Sequence, residues 1–161
     1  MRRFNSETAI AVIELQQMLA DFGHAMDRRS PDVADYYCED GAFLLGTVVH
    51  RGREAIRAFY AAHAERIRAT ERDGQRQALH AFVNVRVTIE DSSHATLDFF
   101  NINYSASGAR PVIGPVVANM IVECRMACRR EEDGAWRIVE FGGTPQFTAG
   151  DAFVDRLAAR N

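Results

Sequence analysis

Apolar residues in the first quarter of the chain recur at spacings of three and four, and after Asp73-Gly74 they change to strict alternation. Val12, Leu15, Leu19, Phe22 and Met26 share one stripe of a 3.6-residue period. That predicts a helix with one buried face, capped by Asn5 or Ser6 and running to about Arg28. Ser30-Pro31 reads as the cap and first residue of a short helix, about Asp32 to Tyr37. Glu39-Asp40-Gly41 reads as a turn, and Ala42 to His50 as a strand, half of a hairpin. From Gly52 to about Ala69, helical spacing groups Ala55, Ile56, Phe59, Tyr60, His63 and Ile67 into a second amphipathic helix.

Beyond residue 74, Leu79, Ala81, Val83, Val85, Val87 and Ile89 alternate with His80, Phe82, Asn84, Arg86, Thr88 and Glu90. The pattern is that of a long half-buried strand. Asp91-Ser92-Ser93 turns the chain into a second strand, His94 to Ser105, and Ser107 to Pro111 forms a loop. A third strand runs from about Pro115 to Arg130, and Asp133-Gly134 makes a hairpin turn into a fourth, Ala135 to Thr144. Gly150 to Ala159 is consistent with a terminal helix. Helices followed by a meander of long strands give an α+β domain. So large a sheet must curve around so few helices, which leaves a cavity open at one end, the shape of a small-molecule pocket.

Composition narrows the function classes. The 161 residues are 47% hydrophobic, enough for an ordinary core. With 19 basic against 22 acidic residues, the chain lacks a nucleic-acid footprint. Its short basic runs, Arg28-Arg29 and Arg129-Arg130, read as solvated element ends. No apolar stretch reaches the ~20 residues of a membrane helix. Met1-Arg2-Arg3-Phe4 leads straight into a polar segment without a signal peptide's apolar region, so the expected location is cytoplasmic. An odd number of cysteines, three, fits a reducing compartment. Cys124 and Cys128 sit ~13 Å apart along a strand, too far for one zinc ion, and read as apolar filler. No metal-ligand spacing or glycine-rich nucleotide loop occurs, so neither metal nor cofactor is expected.

Two residues suggest chemistry. Asp27 ends the first helix and His80 opens the long strand. A carboxylate that holds an imidazole in one tautomer makes a general base near neutral pH. Asp27 lies ~100° from the centre of its helix's apolar stripe, on the flank. Strict alternation puts His80 opposite the valine row. A β-bulge between His80 and Asn84, near Phe82 or Val83, would turn it inward, and the pair requires one. The remaining histidines, His24, His50, His63 and His94, show no partner and receive no role. Asn101 and Asn103 share a face with Ala95, Leu97 and Phe99; Asn119 shares one with Glu123. A buried amide must be hydrogen-bonded, so these are structural bridges or substrate handles. Trp136, Ile138 and Phe141 read as core or pocket wall, and the segment around Phe147 and Phe153 as a lid or a partner contact. Phe82 and Phe100 on the sheet's outer face suggest a homodimer or homotrimer.

The element order, with Met26-Asp27-Arg28-Arg29, Tyr36-Tyr37-Cys38-Glu39-Asp40-Gly41, Arg51-Gly52-Arg53-Glu54-Ala55-Ile56, Leu79-His80-Ala81-Phe82 and Asp133-Gly134-Ala135-Trp136, resembles the SnoaL-like group of the NTF2-like superfamily. Scytalone dehydratase, bile-acid 7α-dehydratase and hexachlorocyclohexane dehydrochlorinase belong to that group. The resemblance implies a single domain over residues 1–161: a cone of curved, mixed or antiparallel sheet wrapped around about three helices from the N-terminal half. It also implies that Asp27 and His80 are the catalytic pair of a cofactor-independent dehydratase-type lyase or isomerase. The expected substrate is a mostly apolar cyclic small molecule. A tyrosine those enzymes carry near the aspartate is replaced here by Phe22 or by Met26, so a carbonyl-activating phenol comes from elsewhere, Tyr104 being the candidate, or is absent. Expected substrate contacts are Phe22, Asn101, Asn103, Tyr104 and Asn119. The same superfamily holds ligand-binding proteins and ring-hydroxylase small subunits, so a non-catalytic binding or structural role is the alternative.

Overall fold

The computed structural model describes residues 5–151. Helix α1 (Ser6–Arg28) begins at a reciprocal cap, in which the Asn5 side chain accepts from the Thr8 amide and the Thr8 hydroxyl accepts from the Asn5 amide. Two amides that a helix start leaves unpaired are thereby satisfied. Leu15, Leu19 and Phe22 are fully buried, with Val12 and Met26 packed at the margin, so the periodic stripe is the buried face. A 3-10 segment (Pro31–Tyr36) starts on the Ser30 cap. It leads into β1 (Tyr37–Leu45), β2 (Val48–Arg51) and α2 (Arg53–Thr70). The long strands follow: β3 (Arg76–Ile89), β4 (His94–Ser107), β5 (Ala118–Arg130) and β6 (Trp136–Thr148).

All six strands form one open, mixed sheet in the order β2-β1-β6-β5-β4-β3. Neighbours run antiparallel except β1 and β6, which are parallel. Helix α1 lies against β3, and α2 against the 3-10 segment and β1. Between helices and sheet sits an apolar core rich in rings: Phe22 meets Tyr36, Tyr37 and Phe141 edge-on, and Phe99 stacks on Phe141. Cys124, Met126 and Cys128 alternate inward from β5, and burial pushes both thiols up to about 12. They are filler, as their spacing predicted.

Two expectations near the N-terminal half are corrected. Glu39-Asp40-Gly41 is not a turn but an irregular stretch within β1, where pairing with β6 jumps between Tyr37 and Ala42. The Arg53 guanidinium donates to the Tyr37 carbonyl at 3.1 and 2.8 Å and the Gly52 amide to the Gly41 carbonyl at 2.7 Å, so the irregular stretch is tied to the start of α2. Ala42–His50 is not one strand either. Gly46, with φ 58°, turns the chain between β1 and β2. The expected terminal helix and Phe153 lie outside the described residues, apart from Gly150 and Asp151.

One local feature sets the inner face of β3. Its register with β4 slips by one between Val83 and Arg86, leaving Asn84 and Val85 opposite Phe99 alone. Asn84 takes the left-handed conformation, φ 55°, which asparagine tolerates better than branched residues do. The slip is a bulge, one to two residues beyond where the sequence placed it. It reverses side-chain parity. Phe82 and Val85 therefore both pack into the core, while Leu79 is 54% exposed. Phe82, expected on the outer face as part of an oligomer surface, instead meets Phe99 edge-on and presses on Gly23 of α1. A Cβ at Gly23 would lie 2.9 Å from the Phe82 ring.

Replacing Asn84 with valine should destabilise the fold by about 1–2 kcal/mol, the cost of a branched residue at positive φ. Asn84→Gly should be neutral or stabilising. Urea unfolding of both variants measures the difference, and equal midpoints would remove the bulge's conformational demand.

Candidate active site

The last turn of α1 delivers Asp27 to the edge of the sheet. There Asp27 Oδ1 accepts from the His80 backbone amide at 2.9 Å and lies 2.8 Å from His80 Nδ1. Because β3 is an edge strand, this amide is available to a side chain rather than to another strand. Two contacts from one oxygen to one residue leave the imidazole little freedom. With Nδ1–H given to the carboxylate, the neutral ring keeps its lone pair on Nε2. Both side chains are mostly enclosed, with 20% of His80 and 15% of Asp27 exposed.

His80 borders a cavity of about 510 Å³ between the inner face of the sheet and the two helices. That volume lies within the range of small-molecule sites. Aromatic rings form one wall: Phe43 is stacked on Tyr60 and on Phe141, and Phe59 stands beside Tyr60. Asn101, Asn103 and Ser105 of β4 face in from the opposite side. The Asn101 Oδ1 atom is buried without a hydrogen-bond partner in the protein, a deficit that costs about 1–3 kcal/mol until a donor arrives. Among the described residues there is no cluster of His, Cys, Asp and Glu able to hold a metal ion. Nor is any described helix long and apolar enough to cross a membrane.

The SnoaL-like domain profile matches residues 7–142, which span both members of the pair and most of the cavity wall. The chain belongs to the SnoaL-like family. Solved structures agree on the NTF2-like fold. Aln2 from a Streptomyces species superposes with a TM-score of 0.72 at 23% identity, over 99% of each chain. ActVI-ORFA from Streptomyces coelicolor gives 0.74 at 14% identity, over 87% of this chain and 98% of that one. An NTF2-like protein with a cystatin-like fold from Novosphingobium aromaticivorans gives 0.67 at 21% identity, over 98% and 97%. No curated protein matches the chain.

Of the substrate contacts expected for this SnoaL-like chain, the structure brings Asn101 and Asn103 to the cavity with His80. Three do not reach it. Phe22 is fully buried behind the wall, enclosed by Tyr36, Tyr37 and Phe141. Tyr104 is turned by strand alternation to the face opposite Asn103. Asn119 is a structural bridge: its side-chain oxygen accepts from the Ser105 amide, and its Nδ2 donates to Asp151 at 3.1 Å.

The phenol at the cavity is Tyr60 of α2, not Tyr104. Its hydroxyl donates to the Met26 thioether at 3.8 Å, a weak acceptor, and burial raises its pKa. Tyr37, buried behind it, carries a hydroxyl with no partner of good geometry and a pKa likewise raised by burial. His63, one helical turn from Tyr60, also lines the cavity. Arg66 lies 3.2 Å from His63 Nδ1. A guanidinium only donates, so the neutral ring carries its proton on Nε2. Burial first, and then the charges of Arg66, Arg29 and Arg76, bring the His63 pKa down to about 4. Tyr60 and His63 belong to the apolar group of α2, and a histidine on the apolar stripe of a helix was the signal for this site. For Arg29, which lines the cavity rather than facing solvent, the linear pattern carried no signal.

A histidine whose folded pKa lies below its unfolded value of about 6.5 favours folding least where it must be protonated. The SnoaL-like fold should therefore be most stable above pH 6.5 and lose stability as pH falls toward 4, by on the order of 2 kcal/mol from this group. His63→Gln should abolish that part of the slope. Urea midpoints at pH 7 and pH 4.5 compare the two proteins, and parallel slopes would contradict the assignment.

Proposed function

We propose that this SnoaL-like protein is a cofactor-independent lyase of the dehydratase type, or an isomerase, acting on a mostly apolar cyclic molecule that bears a carbonyl or hydroxyl group. One observation carries the reading. Asp27 holds His80 by both ring and backbone, at the edge of a partly open, ring-lined cavity. The family itself includes polyketide cyclases and dehydratases.

In the proposed chemistry, His80 Nε2 takes a proton from a carbon next to the substrate carbonyl. Asp27 stabilises the resulting imidazolium, as an ordered carboxylate does for a paired histidine. Negative charge moves to the carbonyl oxygen, where a Tyr60 or asparagine donor would stabilise it. Return of the proton to a β-hydroxyl expels water and completes a dehydration. Return to another carbon completes an isomerisation. Flat substrates suit a wall of stacked rings, and the Asn101 oxygen offers an acceptor for a substrate hydroxyl.

Bicyclic β-hydroxy-ketones provide the test, with enone formation followed by absorbance and α-hydrogen exchange in D2O by NMR. His80→Asn should lower both rates about 10²–10⁴-fold, the usual contribution of one general base. Asp27→Asn should lower them at least tenfold while leaving the cavity intact. Tyr60→Phe should slow enolisation by about tenfold, one hydrogen bond's worth. Wild-type rates no faster than those of His80→Asn would leave a ligand-binding role in place of catalysis.

A further inference from the structure

Four arginines line the cavity, and three of them are matched. Arg57 pairs with Asp35 and Glu54, and Arg68 with Glu65. Arg76 is 5% exposed, lies 3.1 Å from Glu71 and 2.7 Å from Asp151, and donates to the Ser105 hydroxyl as well. The fourth is Arg29. Its guanidinium makes no hydrogen bond or ion pair among the described residues, although it is partly buried. The acids that reach it through space are engaged elsewhere, Asp27 with His80 and Glu71 with Arg76. Burial and the positive charges of Arg76 and Arg110 lower its pKa, and the through-space pull of Asp27 and Glu71 offsets only part of that, so the guanidinium stands at the cavity with no acid among the described residues in contact.

The backbone fixes the placement. Arg29 caps α1 in the left-handed region, φ 52° and ψ 41°, and its amide donates to the carbonyls of Ala25 and Met26. Glycine is the usual residue at such a cap. A bulky residue there, held in a disfavoured conformation by surrounding hydrogen bonds, is the kind of strain that marks ligand sites. The same turn carries Asp27 two residues earlier, so one helix end supplies both the partner of the base and the unmatched cation.

We infer that the substrate carries a single carboxylate, and that Arg29 binds it in the cavity that holds His80. A guanidinium recognises a carboxylate through two parallel N–H donors, which fixes orientation as well as position. One unmatched cation suits a monoanion, and the ring-lined remainder of the cavity suits an apolar body. Arg29 thus positions the ring system relative to the base. The inference rests on the proposed function only in calling the occupant a substrate; the binding preference stands apart from catalysis.

The probes are 2-naphthylacetic acid and its amide, which share a bicyclic body and differ in charge. Isothermal titration is run with wild type, Arg29→Gln, Arg29→Lys and His80→Asn. Wild type should bind the acid about 10–100-fold tighter than the amide, the span of a charged hydrogen-bonded pair. Arg29→Gln should bring the acid down to the amide's affinity and leave the amide unchanged, which also shows that the cavity is intact. Arg29→Lys should keep part of the preference, and His80→Asn all of it. The inference is overturned if wild type binds neither probe or both alike. It is overturned equally if Arg29→Gln keeps the preference or weakens both probes together. Acid preference without turnover of hydroxy-ketones would remove the proposed function and leave this site. Turnover without acid preference would do the reverse.

Discussion

The arrangement depends on a one-residue slip in β3. Side chains on a strand alternate, so one extra residue exchanges the faces of everything beyond it. Before the slip, Arg76, Ala78 and His80 face the cavity and Phe82 the core; after it, Val85, Val87 and Ile89 face the core. Without the slip, either the valines or the histidine would have to face solvent. The bulge lets one strand serve as apolar core wall at one end and as cavity edge at the other. Its position beside Phe99, near the middle of the strand, also places Phe82 against Gly23, and so locks β3 onto α1 close to Asp27.

That lock explains how a flank residue of a helix becomes part of a site. Asp27 lies off the buried stripe of α1, so it is not consumed by the core. It lies at the helix end, so it reaches past the core to the edge of the sheet. The edge amide of His80 needs an acceptor, and the carboxylate supplies it while gripping the ring. Backbone and side chain are held by a single oxygen, which ties the orientation of the His80 ring to the packing of α1 on β3.

Charge inside the cavity is distributed unevenly. The aromatic wall and the neutral His63 carry none at pH 7, and Arg76 is compensated by two acids. Arg29 alone among the cavity-lining arginines of the described residues lacks such compensation. In a partly enclosed site, a lone cation acts over longer distances than it would in water. Desolvation holds His63 neutral and leaves Arg29 charged, because an imidazole can shed its proton near neutral pH and a guanidinium cannot.

Local patterns identified most of the elements, and the family resemblance singled out Asp27 and His80, which the structure brings into contact. The stripe from Val12 to Met26 is the buried face of α1, and Ala95, Leu97 and Phe99 share the inner face of β4 with Asn101 and Asn103. Such readings succeed because each depends on period and on which surface must leave water. The β1 irregularity was misread as a turn because Glu-Asp-Gly has turn chemistry, whereas parallel pairing with β6, distant in sequence, makes it strand. Tyr104 and Tyr60 exchanged places for a similar reason: alternation tells which residues share a face, not which face meets the cavity. Asn119 is equally polar in sequence and became a bridge because Ser105 and Asp151 fold onto it. Composition and spacing thus settled the α+β class and the order of elements, and they drew attention to Asp27 and His80. The final position of the bulge, the inward turn of Tyr60, His63 and Arg29, and the matching of every cavity arginine but one were decided by tertiary packing, because each depends on which distant groups come within a few ångströms.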